Sequence, residues 1–386
     1  MSRLRYAVRA AIPGLIMTAM LSGCGILSIF SSPDPRTLPA SLTEIKQTVS
    51  LKTAWQASVG KSQGFVFTPA VAGSNVYATN ADGQLLALDA ANGRQLWRVE
   101  AGKRVSGGVG ASSSIVLVGT QKGDLIAFDN AGKLLWQMQL GAEVLTPAAI
   151  DAGTIVVRLA DGRLLGLAAQ DGKRKWAYQR VNPPLALRSF APAAVARGAV
   201  FAGFAGGVVV ALDLETGRVG WESVISSPRG ATELERIADI SSPPVIDGNQ
   251  VCAAAYQGRV ACLDVTSGKV LWSREASSSA GIAVDEKYVY VTEESGAVSA
   301  LDKKTGTSVW KQDKLSNRRL GTPVVRGKQV LVGDGFGVVH ALSKEDGSFV
   351  GRLTTDGSAL AAAPQVADNA VLFQTRNGGL YAIQVN

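Results

Sequence analysis

All seven tryptophans of this 386-residue chain sit in or beside one recurring phrase, and that periodicity constrains the fold more than any other feature. Trp97, Trp136, Trp176, Trp221, Trp272 and Trp310 each close a segment of the form G-x-(apolar)-x-A-(apolar)-D-x-x-[TNS]-G-x-x-x-W, as in GVVVALDLETGRVGW and GRVACLDVTSGKVLW. A further copy, GVVHALSKEDGSFVG, keeps both glycines but ends at Gly351, and Trp55 stands alone with no motif before it. Self-similarity near 40 residues marks a repeat architecture.

Each repeat reads as four short strands. In the stretch ending at Trp272, Pro243-Pro244 opens an apolar run, Asp247-Gly248-Asn249 turns it, Gln257-Gly258 turns it again, and Ser267-Gly268 leads into the strand that carries the indole. The first motif glycine (Gly83, Gly123, Gly162, Gly207, Gly258, Gly296, Gly337) and the second nine or ten residues later are expected at positive φ, as tight hairpins demand. The once-per-repeat aspartates (Asp89, Asp129, Asp213, Asp264, Asp302) cap the second turn rather than converge on a metal or catalytic site. The indoles are expected between adjacent sheets.

Strand starts recur near Pro69, Gly108, Pro147, Pro192, Pro243, Ala280, Pro323 and Pro364, and the last unit lacks a fourth strand. The orphan Trp55 strand supplies it. The expectation is therefore an all-β, eight-bladed propeller of four-stranded antiparallel blades over 49–386, closed by an N-terminal strand that removes two exposed sheet edges. Seven blades with an irregular end is the competing count.

Residues 1–23 belong to a different physical class. Arg3, Arg5 and Arg9 precede the apolar stretch 10–20, which is too short to span a bilayer. Leu21-Ser22-Gly23-Cys24 follows and resembles the lipobox of bacterial lipoprotein signal peptides. That resemblance implies cleavage before Cys24, acylation of that cysteine, and outer-membrane anchoring facing the periplasm, because Gly25 replaces the aspartate of the inner-membrane retention signal. Buried acyl chains contribute about 0.8 kcal/mol per methylene. Residues 24–48, rich in Ser and Pro, read as a flexible tether spanning about 25 Å.

Removing the three leader arginines takes the formal charge from +8 to +5, and the remaining Lys and Arg are scattered with no basic run among aromatics. That argues against nucleic-acid binding. Cys252 and Cys262 lie on neighbouring strands of one hairpin. A three-residue turn sets them opposite each other for a disulfide, whereas a two-residue turn sends them to opposite faces; the compartment permits the bridge.

The segment 211–221, ALDLETGRVGW, resembles the tryptophan-docking motif of quinoprotein (PQQ-dependent) dehydrogenases, which are also eight-bladed. Those enzymes add a calcium site, a ring of adjacent cysteines and a loop cap. Here no two cysteines are adjacent, and there is no HExxH, GxSxG or phosphate-binding glycine loop. The only histidine, His340, reads as a structural strand residue. No enzyme activity, metal or cofactor is expected; a periplasmic PQQ redox enzyme or cofactor-binding propeller is the alternative.

If the repeat is scaffold, function lies in the departures from it. Successive spacings between tryptophans are 42, 39, 40, 45, 51 and 38, then 41 to Gly351, so the two long ones are consecutive. They hold 180–190 (RVNPPLALRSF) and 226–240 (SSPRGATELERIADI), which leave the same face of neighbouring blades. Leu185, Leu187 and Arg188 beside Glu233, Glu235, Arg236 and Asp239 form the apolar-plus-arginine patch, rimmed by charge, that a protein partner needs.

Lipobox, tether, propeller and these two loops together make the chain similar, along its whole length, to the propeller lipoproteins of the outer-membrane β-barrel assembly (BAM) machinery. In that family an L-x-L-R loop and a second loop ending D-x-D contact the POTRA domains of BamA. Leu185-Ala186-Leu187-Arg188 keeps the first pattern, while Asp239-Ile240-Ser241 keeps only the first acid of the second. Asp239 can then orient Arg188 across the loops or cap the strand-entry turn. The resemblance implies a non-catalytic scaffold that binds BamA and assists insertion of barrel proteins, with unfolded precursors as further partners.

Overall fold

The computed structural model describes residues 37–181, 183, 185–188 and 191–386, and the unit from Pro39 to Asn386 is the one discussed. It contains eight four-stranded antiparallel sheets and, among the described residues, no α-helix. Seven sheets are sequential meanders: blades 1 to 7 cover 70–100, 105–139, 149–178, 194–224, 245–275, 282–312 and 324–354. Blade 8 joins the three strands of 365–385 to the N-terminal strand Leu51–Ser58, paired from Leu51 opposite Val385 to Ser58 opposite Gly379. Eight blades and the expected closure are both present.

Burial follows strand position. The two middle strands of each blade are almost continuously buried, as in Asn75–Thr79 and Gln84–Asp89, because neighbouring blades cover both faces. The fourth strand alternates between exposed and half-buried, as in Gln95–Glu100, because its outer side is a free edge.

Each indole sits at a fixed register, opposite a small residue on the third strand: Ala87 with Trp97, Ala127 with Trp136, Gly166 with Trp176, Ala211 with Trp221, Cys262 with Trp272, Ala300 with Trp310 and Ala382 with Trp55. The ring lies against the second motif glycine of the next blade, and its Nε1 donates to a carbonyl three residues before that glycine, or two in the case of Trp97 and Asn130, whose repeat is one residue shorter. Trp176, for example, donates to the Leu214 oxygen at 2.9 Å, and Trp55 to the Ala90 oxygen at 3.0 Å across the chain closure. A Cβ built at Gly217 (φ +69°) would fall 2.6 Å from the Trp176 ring, so this glycine is required both by its turn and by the indole. The indoles thus join blade to blade around the ring.

The first motif glycines take positive φ as expected, with one correction. At Gly258 the left-handed conformation moves to the preceding Gln257 (φ +48°). Gly258 is needed there for a different reason: a Cβ would approach within 2.4 Å of the Ser226 hydroxyl.

The joint between blades 7 and 8 has no indole, because Gly351 stands where Trp belongs. The N-terminal chain fills that place. A Cβ at Gly351 would meet the Val49 carbonyl at 2.8 Å, and the amides of Thr48 and Val49 both donate to the Val350 oxygen. Upstream, Arg318 Nη1 donates to the Ala40 carbonyl (3.0 Å) and Arg352 Nη1 to that of Thr43 (2.9 Å). Residues 40–48, expected within the flexible tether, are therefore tied to blade 7.

Both arginines belong to a buried network. Asp334 accepts Arg318 Nε at 2.7 Å and lies 2.9 Å from His340 Nε2, while Arg352 Nε donates to His340 Nδ1 (3.3 Å), which places the ring proton on Nε2. Burial, with the charges of Arg352 and Arg318, pushes the His340 pKa down against the pull of Asp334. The sign of the pH dependence follows. The unfolded chain takes up this proton near pH 6.5 and the folded chain only lower, so stability is full above about 6.5 and falls as pH drops toward the depressed value. Because His340 is the sole histidine, the melting temperature is expected to decline as pH falls below about 6.5. His340→Gln should be less stable throughout but lose that slope; an unchanged slope would contradict the assignment.

Candidate functional site

The two long connections meet. Asp239, at 4% exposure, is the residue that joins them: its Oδ2 accepts the Leu187 amide at 2.6 Å and its Oδ1 the Gly206 amide at 3.0 Å. Its own carbonyl accepts the Tyr256 amide from blade 5 (2.8 Å), and the Ile240 amide donates to the Phe204 carbonyl (3.2 Å). One buried carboxylate thereby ties the first loop, the 204–208 turn of blade 4 and the second loop together. Two backbone N–H donors satisfy it, so it is buried at low penalty. The Asp239 charge also favours the nearby Arg158 guanidinium, yet burial dominates and pushes the Arg158 pKa down to about 10. Arg158 stacks over the Phe204 ring, 5.1 Å from its centroid.

This arrangement differs from one of the two roles expected of Asp239. Asp239 does not orient Arg188; it holds the backbone of Leu187 instead. Arg188 reaches back to the connection between blades 2 and 3, where Nη2 pairs with Glu143 Oε2 at 2.8 Å, with the arginine side chain 59% exposed and the glutamate 22%. Between these groups lies a cleft of about 290 Å³ lined by Leu145, Arg158, Leu187, Arg188, Asp239 and Ile240.

Glu235 and Arg236 serve the second loop itself. Thr232 Oγ1 accepts the Glu235 amide (3.3 Å) while Glu235 Oε2 accepts those of Thr232 (3.1 Å) and Ala231 (2.8 Å), a reciprocal cap on a single turn. The amide hydrogen bonds hold the Glu235 carboxyl below its ordinary range. Arg236 Nε donates to the Gly230 carbonyl (3.1 Å) and its guanidinium lies 3.6 Å from Glu233. The turn so formed lifts Leu234 to 67% exposure, and Leu185 on the companion loop is 39% exposed.

Leu234 and Glu143 are the residues that sequence reading missed. An apolar residue flanked by Glu233 and Glu235 in a loop was a legible signal; the pairing of Glu143 with a residue 45 positions later was not. Among the described residues no three His, Cys, Asp or Glu side chains gather as metal ligands. The arrangement presents two exposed leucines and an arginine on loops held by backbone hydrogen bonds from beneath.

Comparison with known proteins bears on the chain as a whole. Residues 47–103, 81–312 and 295–386 match the family described as outer membrane protein assembly factor BamB. A relative from Nitrosomonas eutropha, bearing that name, is 46% identical over 383 residues, covering 96% of this chain and 94% of its own. The chain belongs to the BamB family. The crystal structure of BamB from Moraxella catarrhalis superposes with a TM-score of 0.80 at 28% identity, over 87% of this chain and all of that one. A quinohemoprotein alcohol dehydrogenase from Comamonas testosteroni gives 0.70 at 15% identity over 86% of this chain and 76% of its own, a likeness of fold alone. The family expected from lipobox, propeller and paired loops is thus the family found.

Proposed function

We propose that this chain is a non-catalytic scaffold of the outer-membrane BAM complex, whose two long loops dock on the POTRA domains of BamA and so assist insertion of barrel proteins. The observation that carries this reading is the Asp239 bridge. It fixes two independent insertions against each other and leaves Leu185, Arg188 and Leu234 outward. Anchors that need little ordering on binding lose less conformational entropy. The relatives bear an assembly-factor name, and the fold likeness to quinohemoprotein enzymes brings no chemistry with it. Lipid anchoring at Cys24 and a periplasm-facing position at the outer membrane complete the proposal; Cys24 lies outside the described residues. Residues 49–386 act as the docking propeller in this reading.

The test is site-specific photo-crosslinking in cells. A photoreactive residue at Leu185 or Leu234 is expected to capture BamA, whereas one at Leu135, exposed on the outer strand of blade 2, is expected to stay silent. Capture at position 135 alone would move the docking surface to the blade edge and overturn the assignment.

A further inference from the structure

One hairpin departs from its seven counterparts in three ways, and all three converge on the second loop. At the register where a third-strand residue faces Trp, the other blades pair a large second-strand residue with a small one: Tyr77 with Ala87, Leu117 with Ala127, Val156 with Gly166, Phe201 with Ala211, Tyr290 with Ala300, Leu331 with Ala341 and Leu372 with Ala382. Blade 5 instead places Cys252 opposite Cys262 with Cα atoms 4.0 Å apart, and the two are joined as a disulfide. The pairing that the turn length left open is therefore direct.

The turn above this bridge, 255–259, carries the second departure: Gln257, not the motif glycine, occupies the left-handed region that L side chains seldom adopt. The third is the close approach of Gly258 to Ser226, the first residue of the second loop. This reshaped turn supports the loop directly. Tyr256 N–H donates to the Asp239 carbonyl at 2.8 Å. The Gln257 side-chain amide, turned so that its nitrogen meets carbonyls, shares its two N–H groups among those of Leu234 (3.0 Å), Glu235 (3.2 Å) and Ile237 (3.1 Å). Gln257 thus supports from below the very turn that raises Leu234.

We infer that the Cys252–Cys262 bridge is a staple that fixes the register of the blade 5 hairpin, so that Tyr256 and Gln257 act as positioning residues for the docking loop 226–240. A single-residue slip in an antiparallel pair sends each side chain to the opposite face. In this hairpin such a slip would move Gln257 away from the three carbonyls and relax its backbone. Both cysteines are essentially inaccessible to solvent, so the bridge acts through the strand pair and not as an exposed reactive group. The inference rests on the proposed docking role of the loop.

The test separates the staple from packing. Cys252→Leu/Cys262→Ala restores the large–small pair of the other blades without the covalent link. Hydrogen exchange of the Tyr256 amide and of 234–240 is expected to quicken by about tenfold, and affinity for the purified POTRA region of BamA to fall by about tenfold, the scale of one net backbone hydrogen bond. Exchange at Trp176 in blade 3, two blades away, should not change. Unchanged exchange and affinity in this variant would overturn the inference and leave the bridge as packing. If that variant fails to fold, Cys252→Val/Cys262→Ala, which also lacks the covalent link and keeps a smaller apolar pair, decides by the same exchange measurement. If the native protein does not bind BamA, the docking proposal falls, while the exchange result still judges the staple.

Discussion

Replacing Trp176 with alanine is expected to lower stability by about 3–5 kcal/mol, the range for truncating a large buried aromatic. Three terms add at this residue. The ring is buried at 7% exposure against the cluster around Val200, Phe204 and Leu212. Its N–H satisfies the Leu214 carbonyl of the next blade, which would be left without that donor. Its bulk also fits the space opposite Gly166, where any Cβ would come within 2.1 Å of the ring, so no neighbour can move in cheaply. The midpoint of thermal unfolding should drop on the order of 10 °C. The reciprocal change, Gly217→Val, should be similarly harmful, since it combines a branched side chain at positive φ with a clash against the same indole. Thermal melts followed by circular dichroism check both. A shift of only a degree or two in either variant would mean that the indoles decorate the blades and do not join them.

The same joint explains what the sequence could and could not show. Strand order, blade count and the closing strand were legible because they rest on local rules: a glycine where the chain must turn left-handed, alternation on the outer strand, an orphan Trp55 with no motif before it. The seam at Gly351 was legible only as a gap. What fills it, the backbone of 48–49, bears no side-chain signature, since the contact is made by a carbonyl and two amides. Likewise Thr43 and Ala40 offer only their carbonyls to Arg352 and Arg318, so nothing in the composition of 24–48 distinguished the tied part from a tether.

The two long loops divide in the same way. Their lengths, adjacency and L-x-L-R pattern were readable. The role of Asp239 was not, because its partners are backbone amides of Leu187 and Gly206, which any residues could supply. Gly258 misled for a related reason: the motif glycine is present, yet it serves the approach of Ser226 while Gln257 takes the strained conformation.

The second large effect is expected from Arg188→Glu. In the free protein this change places a carboxylate against Glu143, 2.8 Å from where the guanidinium now sits. The repulsion is modest in stability terms, because the arginine side chain is largely exposed and such pairs contribute little there. At an interface the change is far larger. It removes a donor with five N–H groups and introduces the opposite charge into a surface that binding would desolvate, which typically removes 2 kcal/mol or more, about thirtyfold or greater in Kd. The expected signature is thus a dissociation between fold and binding: melting within a few degrees of native, affinity nearly lost. Asp239 is itself 4% exposed and holds the Leu187 amide, so in the proposed docking its expected part is to position that loop and not to touch the partner.

The most direct measurement is a calorimetric titration of the soluble chain, freed of its lipid anchor, against the POTRA domains of BamA, with Arg188→Glu run beside the native protein and β-rich circular dichroism recorded for both. Native binding that disappears in the variant, with unchanged spectra, is the predicted result. Equal binding by the two, or none by the native protein, would contradict the assignment of these loops as the docking surface.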